Sequence, residues 1–151
     1  MAFAGFPEVH GEPMQVLRYE HGQQYTPHTD TFPKNYMKLS DGMQRSATAL
    51  VYLSDVESGG ETAFPKSRSF SEAEPGAAGE LSECGRRGVS VRPRRGSVLL
   101  FYSLDPRGKP SEYAQHTGCP VLTGTKWTVT KWIHELPFRG RRFPGSNPEP
   151  A

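Results

Sequence analysis

The chain has 151 residues, of which 34% are hydrophobic and 23% are charged, and its formal net charge is +2. This length suits a single domain with its own hydrophobic core, and the composition argues against a chain that is disordered throughout. The small net charge does not favour nucleic-acid binding, no apolar run approaches the ~18 residues of a membrane span, and the N-terminus lacks the pattern of a signal peptide.

Four short apolar or alternating runs predict β-strands, at residues 14–19, 47–53, 97–102 and 126–134. Clusters of Gly, Pro, Ser and Asp separate these runs, and the 14 prolines and 16 glycines exclude long helices. Many short strands with such turns are typical of a β-sandwich or jelly roll, so we expect a mainly β fold.

Two segments lack any periodic pattern. Residues 66–80 are polar and rich in Gly and Ala, which predicts a surface loop, and residues 138–151 have a similar character. We therefore expect one domain over residues 1–137, followed by a flexible tail over residues 138–151.

The most informative motif is His28-Thr29-Asp30, which His116 and Lys126 follow much later in the chain. Two histidines and one carboxylate form the facial triad that holds non-haem Fe(II) while leaving coordination positions open. Residues two apart on a strand point to the same face, so a strand would let His28 and Asp30 bind one ion together. His116 must then come from a different strand.

The run at residues 126–134 predicts a strand with two unlike faces. Alternation places Trp127, Val129, Lys131 and Ile133 on one face, and Lys126, Thr128, Thr130 and Trp132 on the other. If the second face is buried, the Lys126 ammonium needs an anion, because an unpaired charge is costly inside a protein. A dicarboxylate cosubstrate would supply that anion.

Several ordered motifs together resemble the catalytic domain of plant and algal prolyl 4-hydroxylases. The similarity covers roughly residues 12–135, and residues 66–80 are its least similar part. It is carried by residues 12–19 (EPMQVLRY), 22–30 (GQQYTPHTD), 52–62 (YLSDVESGGET), 116–121 (HTGCPV), 126–127 (KW) and 130–133 (TKWI).

The resemblance implies a fold and a site. The fold would be mainly β, a double-stranded β-helix (jelly-roll) core with few short helices. His28, Asp30 and His116 would bind Fe(II), and Lys126 would form a salt bridge with the distal carboxylate of 2-oxoglutarate. Tyr19 would hydrogen-bond near the same carboxylate. The substrate proline would lie near Tyr25 and Trp132, and Tyr52 and Thr62 are further pocket candidates.

The resemblance also implies an activity and a setting. The enzyme would hydroxylate C4 of proline in proline-rich polypeptides, with O2 as cosubstrate and oxidative decarboxylation of 2-oxoglutarate to succinate. L-ascorbate would be required, and the location would be the endoplasmic reticulum or secretory pathway. Only eighteen residues precede Tyr19, so we expect the helical support that the family carries at this end to be truncated.

Alternative interpretations remain for single residues and for the function of the whole domain. Asp30 could be a turn residue ahead of Pro33, and Lys126 could extend to solvent from a sheet edge. Trp127 is assigned to core packing, and three other histidines are assigned to ordinary polar contacts: His10, His21 and His134. The whole domain could act on a substrate other than peptidyl proline, or bind metal or peptide without catalysis.

The two cysteines, Cys84 and Cys119, allow two interpretations. A disulfide between them would close a loop of about 35 residues and could add ~3–4 kcal/mol of stability. It would also anchor the strand that carries His116, and it would agree with an oxidising compartment. The alternative is two free, buried thiols in a cytosolic protein.

Overall fold

The structure is a computed structural model that describes residues 5–33, 44–67 and 81–138. Short 3₁₀ turns lie at Glu8–His10 and Glu112–Ala114. The strands are β1 (Gln15–Tyr19), β2 (Tyr25–His28), β3 (Arg45–Tyr52), β4 (Ser58–Gly59), β5 (Thr62–Phe64), β6 (Val89–Val91), β7 (Val98–Tyr102), β8 (His116–Gly118), β9 (Val121–Thr123) and β10 (Lys126–His134).

Two four-stranded antiparallel sheets form the body of the domain. One has the order β1-β10-β3-β7 and the other has the order β2-β8-β5-β6, while β4 and β9 form a separate pair. The prediction of a mainly β fold with a double-stranded β-helix core is confirmed. Long β10 lies between β1 and β3 and contributes nine residues to its sheet.

Side chains from the two sheets meet in the interior. The Tyr52 hydroxyl on β3 donates to Thr62 Oγ1 on β5 at 2.8 Å, and the rings of Phe64 and Phe101 meet edge to face at 5.1 Å. Many of the buried residues are nevertheless polar, among them Thr48, Thr128 and Thr130. Buried polar groups need partners, so an interior of this kind indicates a lined cleft rather than a purely apolar core.

The four strands predicted from sequence are confirmed as β1, β3, β7 and β10. The other six strands have only two to four residues each, which is too short for alternation to be recognised. The predicted alternation of β10 is also confirmed, because Lys126, Thr128 and Thr130 are buried in succession. Since β10 is a central strand, Lys126 does not extend from a sheet edge.

The assignment of Trp127 to the core is wrong. Its side chain lies on the opposite face of β10 from Lys126 and is 39% exposed. The Arg18 guanidinium, on neighbouring β1, lies 5.6 Å from the centroid of the Trp127 ring. Alternation along the strand sends Trp127 outward once Lys126 is buried.

Much of the predicted loop at residues 66–80 and of the predicted tail at residues 138–151 lies outside the described residues. The proposed domain boundaries therefore stay a prediction. Within residues 5–33, 44–67 and 81–138, no helix has the length and apolar character needed to cross a membrane.

A disulfide joins Cys84 to Cys119 across 35 residues of chain, with the two Cα atoms 5.7 Å apart. Cys84 lies in the turns that precede β6, and Cys119 directly follows β8. Neither cysteine is free. The bridge therefore fixes the end of the strand that carries His116.

Candidate active site

His28 and His116 are partners across two neighbouring strands, at the end of β2 and the start of β8. Each Nδ1 is hydrogen-bonded to the carbonyl oxygen two residues earlier, His28 to Thr26 at 2.8 Å and His116 to Ala114 at 3.0 Å. A carbonyl only accepts, so each Nδ1 carries the proton and each Nε2 presents a lone pair. This tautomer suits metal binding through Nε2.

Asp30 lies two residues beyond the end of β2, in a bend, and not on the strand as the spacing predicted. The bend brings its Oδ1 to 3.6 Å from His28 Nε2 and 3.9 Å from His116 Nε2. Its Oδ2 accepts a hydrogen bond from the Thr48 hydroxyl at 2.5 Å. The carboxylate is therefore oriented by β3 as well as by its own loop.

Ionisation of these side chains suits cation binding. Burial alone would raise the pKa of the Asp30 carboxyl, but the His28 and His116 imidazoles and the Thr48 hydroxyl outweigh it and lower that pKa. Burial lowers the pKa of His116, so this imidazole is neutral at pH 7. A carboxylate and a neutral imidazole are the forms that bind metal.

One ligand atom from each of His28, Asp30 and His116 lies within 4.8 Å of the other two. Two imidazoles and one carboxylate fit Fe(II), and three protein ligands leave positions open for small molecules. No second group of three or more such ligands is found among the residues that the structure describes.

These three side chains open into a cleft of about 300 Å³ between the two sheets. Its wall includes residues from seven strands of the two sheets, β1, β2, β3, β5, β7, β8 and β10. Among them are Leu17, Tyr19, Tyr25, Thr48, Leu50, Thr62, Phe101, Gly118, Lys126, Thr128, Thr130 and Trp132. The cleft is large enough for a small organic acid beside a metal ion.

Lys126 supplies the cleft with a buried ammonium and is only 3% exposed. Its Nζ lies 5.6 Å from the ring centroid of Tyr19 and 5.7 Å from that of Tyr52. Among the described residues, no carboxylate oxygen lies within 4.0 Å of Nζ and no protein atom accepts a hydrogen bond from it. Burial lowers the pKa of Lys126 to about 8, against the opposing attraction of Glu61. The ammonium is thus suited to an anionic ligand.

The other predicted site residues also line the cleft. Tyr19 faces it from β1, and burial raises the pKa of its hydroxyl. Tyr25 is 47% exposed, and its ring centroid lies 4.1 Å from that of His28. Trp132 lies further along β10, where the Arg45 guanidinium is 3.9 Å from its ring centroid. Thr62 lines the cleft, whereas Tyr52 supports it through Thr62.

Sequence reasoning missed Thr48 and Arg45, which also line the cleft. Thr48 could have been found, because alternation along the predicted strand at residues 47–53 places it on the same face as Leu50 and Tyr52. Arg45 donates two hydrogen bonds to the carboxylate of Glu12, and a pairing between residues so far apart in the chain could not be read from sequence. The histidines assigned to polar contacts include His134, which binds the same carboxylate at 2.8 Å.

Two imidazoles and one carboxylate inside a double-stranded β-helix are the ligand set of the non-haem Fe(II) oxygenases, which keep open positions on the metal. Residues 14–134 match the model of the 2OG-Fe(II) oxygenase superfamily. The chain belongs to this superfamily.

Its curated relatives include plant proteins. The chain is 50% identical over 128 residues to "Probable prolyl 4-hydroxylase 3" of Arabidopsis thaliana, covering 85% of this chain and 44% of the relative. It is 45% identical over 129 residues to "Prolyl 4-hydroxylase 2" of the same plant, covering 85% and 43%. The chain therefore spans less than half the length of these relatives.

A solved structure shares the fold. The viral collagen prolyl hydroxylase of Paramecium bursaria Chlorella virus-1, determined as a 2OG complex, is similar with a TM-score of 0.59 and 29% identity. The similarity covers 83% of this chain and 60% of the viral chain.

Proposed function

We propose that this chain catalyses the hydroxylation of C4 of peptidyl proline, with Fe(II), 2-oxoglutarate and O2. The observation that carries the proposal is the combination in one cleft of the three candidate metal ligands with a buried ammonium that no protein carboxylate pairs. Similarity to proteins named prolyl 4-hydroxylases supports the choice of proline as the substrate.

In this proposal the protein holds the metal and orients the cosubstrate. His28 and His116 would hold Fe(II) through Nε2 and Asp30 would hold it through Oδ1, while the Thr48 hydroxyl donates to the second carboxylate oxygen of Asp30. Lys126 pairs with the distal carboxylate of 2-oxoglutarate, and Tyr19 donates a hydrogen bond near it. Bound iron and cosubstrate supply the activation of O2, through which one oxygen atom enters the C–H bond of proline while 2-oxoglutarate yields succinate and carbon dioxide.

The substrate side of the cleft is assigned to Tyr25 and Trp132. Tyr25 stands beside His28 and remains half exposed, so it can contact a chain that arrives from solvent. An aromatic ring gives an amphipathic surface on which a proline ring can pack. We therefore propose that proline-rich polypeptides are the substrates.

Two further assignments belong to the same proposal. L-ascorbate would be needed to restore iron that has become oxidised during uncoupled turnover. The endoplasmic reticulum or secretory pathway is proposed as the location, and the disulfide between Cys84 and Cys119 supports it, because disulfides persist in oxidising compartments.

The test is mass spectrometry of a proline-rich peptide after incubation with the purified chain, Fe(II), 2-oxoglutarate and ascorbate. We expect one added oxygen on proline and an equal yield of succinate. A His28→Ala variant should form neither product, and a His21→Ala variant should retain both, because His21 contacts the Leu122 carbonyl outside the cleft. Formation of succinate without hydroxyproline would support 2-oxoglutarate oxygenase activity and would contradict proline as the substrate.

A further inference from the structure

Glu61 is a buried carboxylate that none of the roles above explains. It lies between β4 and β5, and only 1% of the residue is exposed. An ionised carboxylate inside a protein is costly unless hydrogen bonds or an opposite charge compensate it. Its surroundings therefore indicate what it does.

The carboxylate of Glu61 is held by the turn that contains Ser82 and Gly85. Ser82 donates twice, from its backbone nitrogen to Oε1 and from its hydroxyl to Oε2, both at 2.8 Å. A Cβ at Gly85 would come within 2.9 Å of the Glu61 side chain, so glycine makes room for it. The backbone of Glu61 accepts from Cys119 at 2.8 Å, and the disulfide links Cys119 back to Cys84 in the same turn.

The charge of Glu61 acts on Lys126. Burial lowers the pKa of the Lys126 ammonium, and the attraction of the Glu61 carboxylate opposes this effect. Among the described residues, Glu61 is the carboxylate with a resolved effect on the pKa of Lys126. The lysine side chain passes over the neighbouring Gly60, where an added Cβ would lie 3.5 Å from Cδ. The two charged groups do not approach within 4.0 Å, so the N–H donors of Lys126 remain available to the cleft.

The phenols of Tyr19 and Tyr52, whose ring centroids lie 5.6 and 5.7 Å from Lys126 Nζ, carry no charge around neutral pH, whereas the same cleft also holds the Asp30 carboxylate. Burial raises the pKa of Tyr19, and it raises that of Tyr52 to about 12. Tyr25 and Lys126 both lie beside Gly118, where an added Cβ would be 3.4 Å from Tyr25 Cβ and 3.8 Å from Lys126 Nζ.

We propose that Glu61 is a positioning residue for 2-oxoglutarate: its carboxylate, fixed by Ser82, keeps the Lys126 ammonium charged and in place without occupying its donors. This inference rests on the proposed function, because it takes Lys126 as the partner of the distal carboxylate. Glu61 does not touch the cosubstrate and acts only through Lys126.

Two effects of opposite sign give the inference a distinctive signature. Glu61 repels an incoming dicarboxylate, but it also favours the charged form of Lys126, which attracts that dicarboxylate. At pH 6.5 Lys126 is charged with or without Glu61, so loss of Glu61 leaves affinity unchanged or slightly increased. Above about pH 8 loss of Glu61 discharges Lys126 and weakens binding.

The experiment is anaerobic calorimetric titration of the Fe(II)-loaded chain with 2-oxoglutarate between pH 6.5 and 9.0. The variant is Glu61→Gln, which keeps the shape and removes the charge: its amide oxygen can accept from the Ser82 backbone nitrogen, and its amide nitrogen can donate to the Ser82 hydroxyl oxygen. Glu83→Gln is the matched control, because Glu83 lies in the same turn with a side chain that is 92% exposed. Pyruvate serves as a second ligand, since it shares the 2-oxo acid group and lacks the distal carboxylate.

For Glu61→Gln we expect 2-oxoglutarate affinity to fall about 5- to 10-fold at pH 8.5 and to change less than 2-fold at pH 6.5, because Lys126 without Glu61 loses its proton at a lower pH. The affinity of Glu61→Gln for pyruvate should equal that of the unaltered chain, and Glu83→Gln should bind 2-oxoglutarate as the unaltered chain does at each pH. A Glu61→Gln profile parallel to that of the unaltered chain would overturn the positioning role alone. Absence of 2-oxoglutarate binding to the unaltered chain would overturn the proposed function and this inference together.

A second measurement needs no cosubstrate. Chemical denaturation at pH 8.5 is compared for the unaltered chain, Glu61→Gln, Lys126→Met and the double variant. We expect Glu61→Gln to lower the denaturation midpoint in the presence of Lys126 and to lower it less, or raise it, in the Lys126→Met background. Equal losses in both backgrounds would overturn the coupling, even if Glu61→Gln folds too poorly for the titration.

Discussion

The orientation of each histidine in the cleft depends on its own backbone. His28 and His116 each use Nδ1 to reach the carbonyl oxygen two residues earlier, at 2.8 and 3.0 Å. This contact is local, so the sequence neighbours of each histidine are enough to form it. The orientation of Asp30 depends instead on Thr48, which lies on a distant strand.

The Thr48 hydroxyl should therefore matter for metal affinity. We expect Thr48→Val to weaken Fe(II) or Mn(II) binding about 10-fold, because partners that orient a metal ligand commonly contribute 10- to 100-fold. Anaerobic calorimetric titration with either ion measures the effect.

Thr130→Val is the matched control for Thr48→Val. Thr130 lines the same cleft but makes no hydrogen bond to Asp30. Its substitution should leave metal affinity within 2-fold. Equal losses for the two variants would show that Thr48 acts through packing and not through Asp30.

At the scale of elements, Glu12 links three strands at the end of the cleft. It precedes β1 and accepts from Arg45 on β3 at 2.5 and 3.0 Å, and it lies 2.8 Å from His134 Nε2 on β10. Burial alone would raise the pKa of Glu12, but His134 and Arg45 outweigh it and lower that pKa to about 2. The folded state therefore favours the ionised form.

We expect Glu12→Gln to lower the free energy of unfolding by about 1–2 kcal/mol at pH 7, allowing for partial solvent screening. A carboxyl with a lowered pKa stabilises the fold above its unfolded pKa of 4.5, and that stabilisation is lost as pH falls toward about 2. Urea denaturation should thus show the difference between the two proteins shrinking across this range. A difference that is constant between pH 7 and pH 2.5 would contradict the assignment to ionised Glu12.

Gly59 determines how closely β4 approaches β9. Its φ is +75°, and an added Cβ would meet the Pro120 carbonyl oxygen and the Leu122 backbone nitrogen, both of them rigid groups. We expect Gly59→Ala to cost roughly 3 kcal/mol or more, since backbone strain and a clash combine.

Gly22 provides the control for Gly59. Its φ is +78°, but an added Cβ there would meet nothing within 4 Å. Gly22→Ala should therefore cost only about 1–2 kcal/mol, the strain of the backbone alone. Thermal and urea denaturation of both variants measure the two costs. Equal losses would show that the backbone around Pro120 shifts to avoid the clash with the added Cβ of Gly59→Ala.

At the scale of the whole molecule, the disulfide closes a loop of 35 residues between the turns before β6 and the end of β8. We expect the double variant Cys84→Ser with Cys119→Ser to be about 3–4 kcal/mol less stable, mainly because the unfolded chain gains freedom. Denaturation with and without a phosphine reductant measures this. Reductant should destabilise the unaltered chain and leave the variant unaffected. A variant as stable as the oxidised, unaltered chain would contradict the prediction.

The sequence by itself determined the long strands, the two faces of β10 and the candidate ligand set. Alternation is a local property of extended backbone, so it placed Lys126, Thr128 and Thr130 on one face without knowledge of any neighbouring strand, and the structure shows that this face is buried. The same rule sends Trp127 outward once Lys126 lies inward, so the assignment of Trp127 to the core is wrong.

Only the tertiary structure decided which distant groups meet. The hydrogen bond from Thr48 to Asp30 joins residues 18 positions apart, and the hydrogen bonds from Ser82 to Glu61 join residues 21 positions apart. Such contacts depend on strand register and loop path, which a one-residue slip in pairing would change completely. Local sequence therefore specified which side chains share a face of each long strand, whereas the packing of two sheets decided which face lines the cleft and set the distances within it.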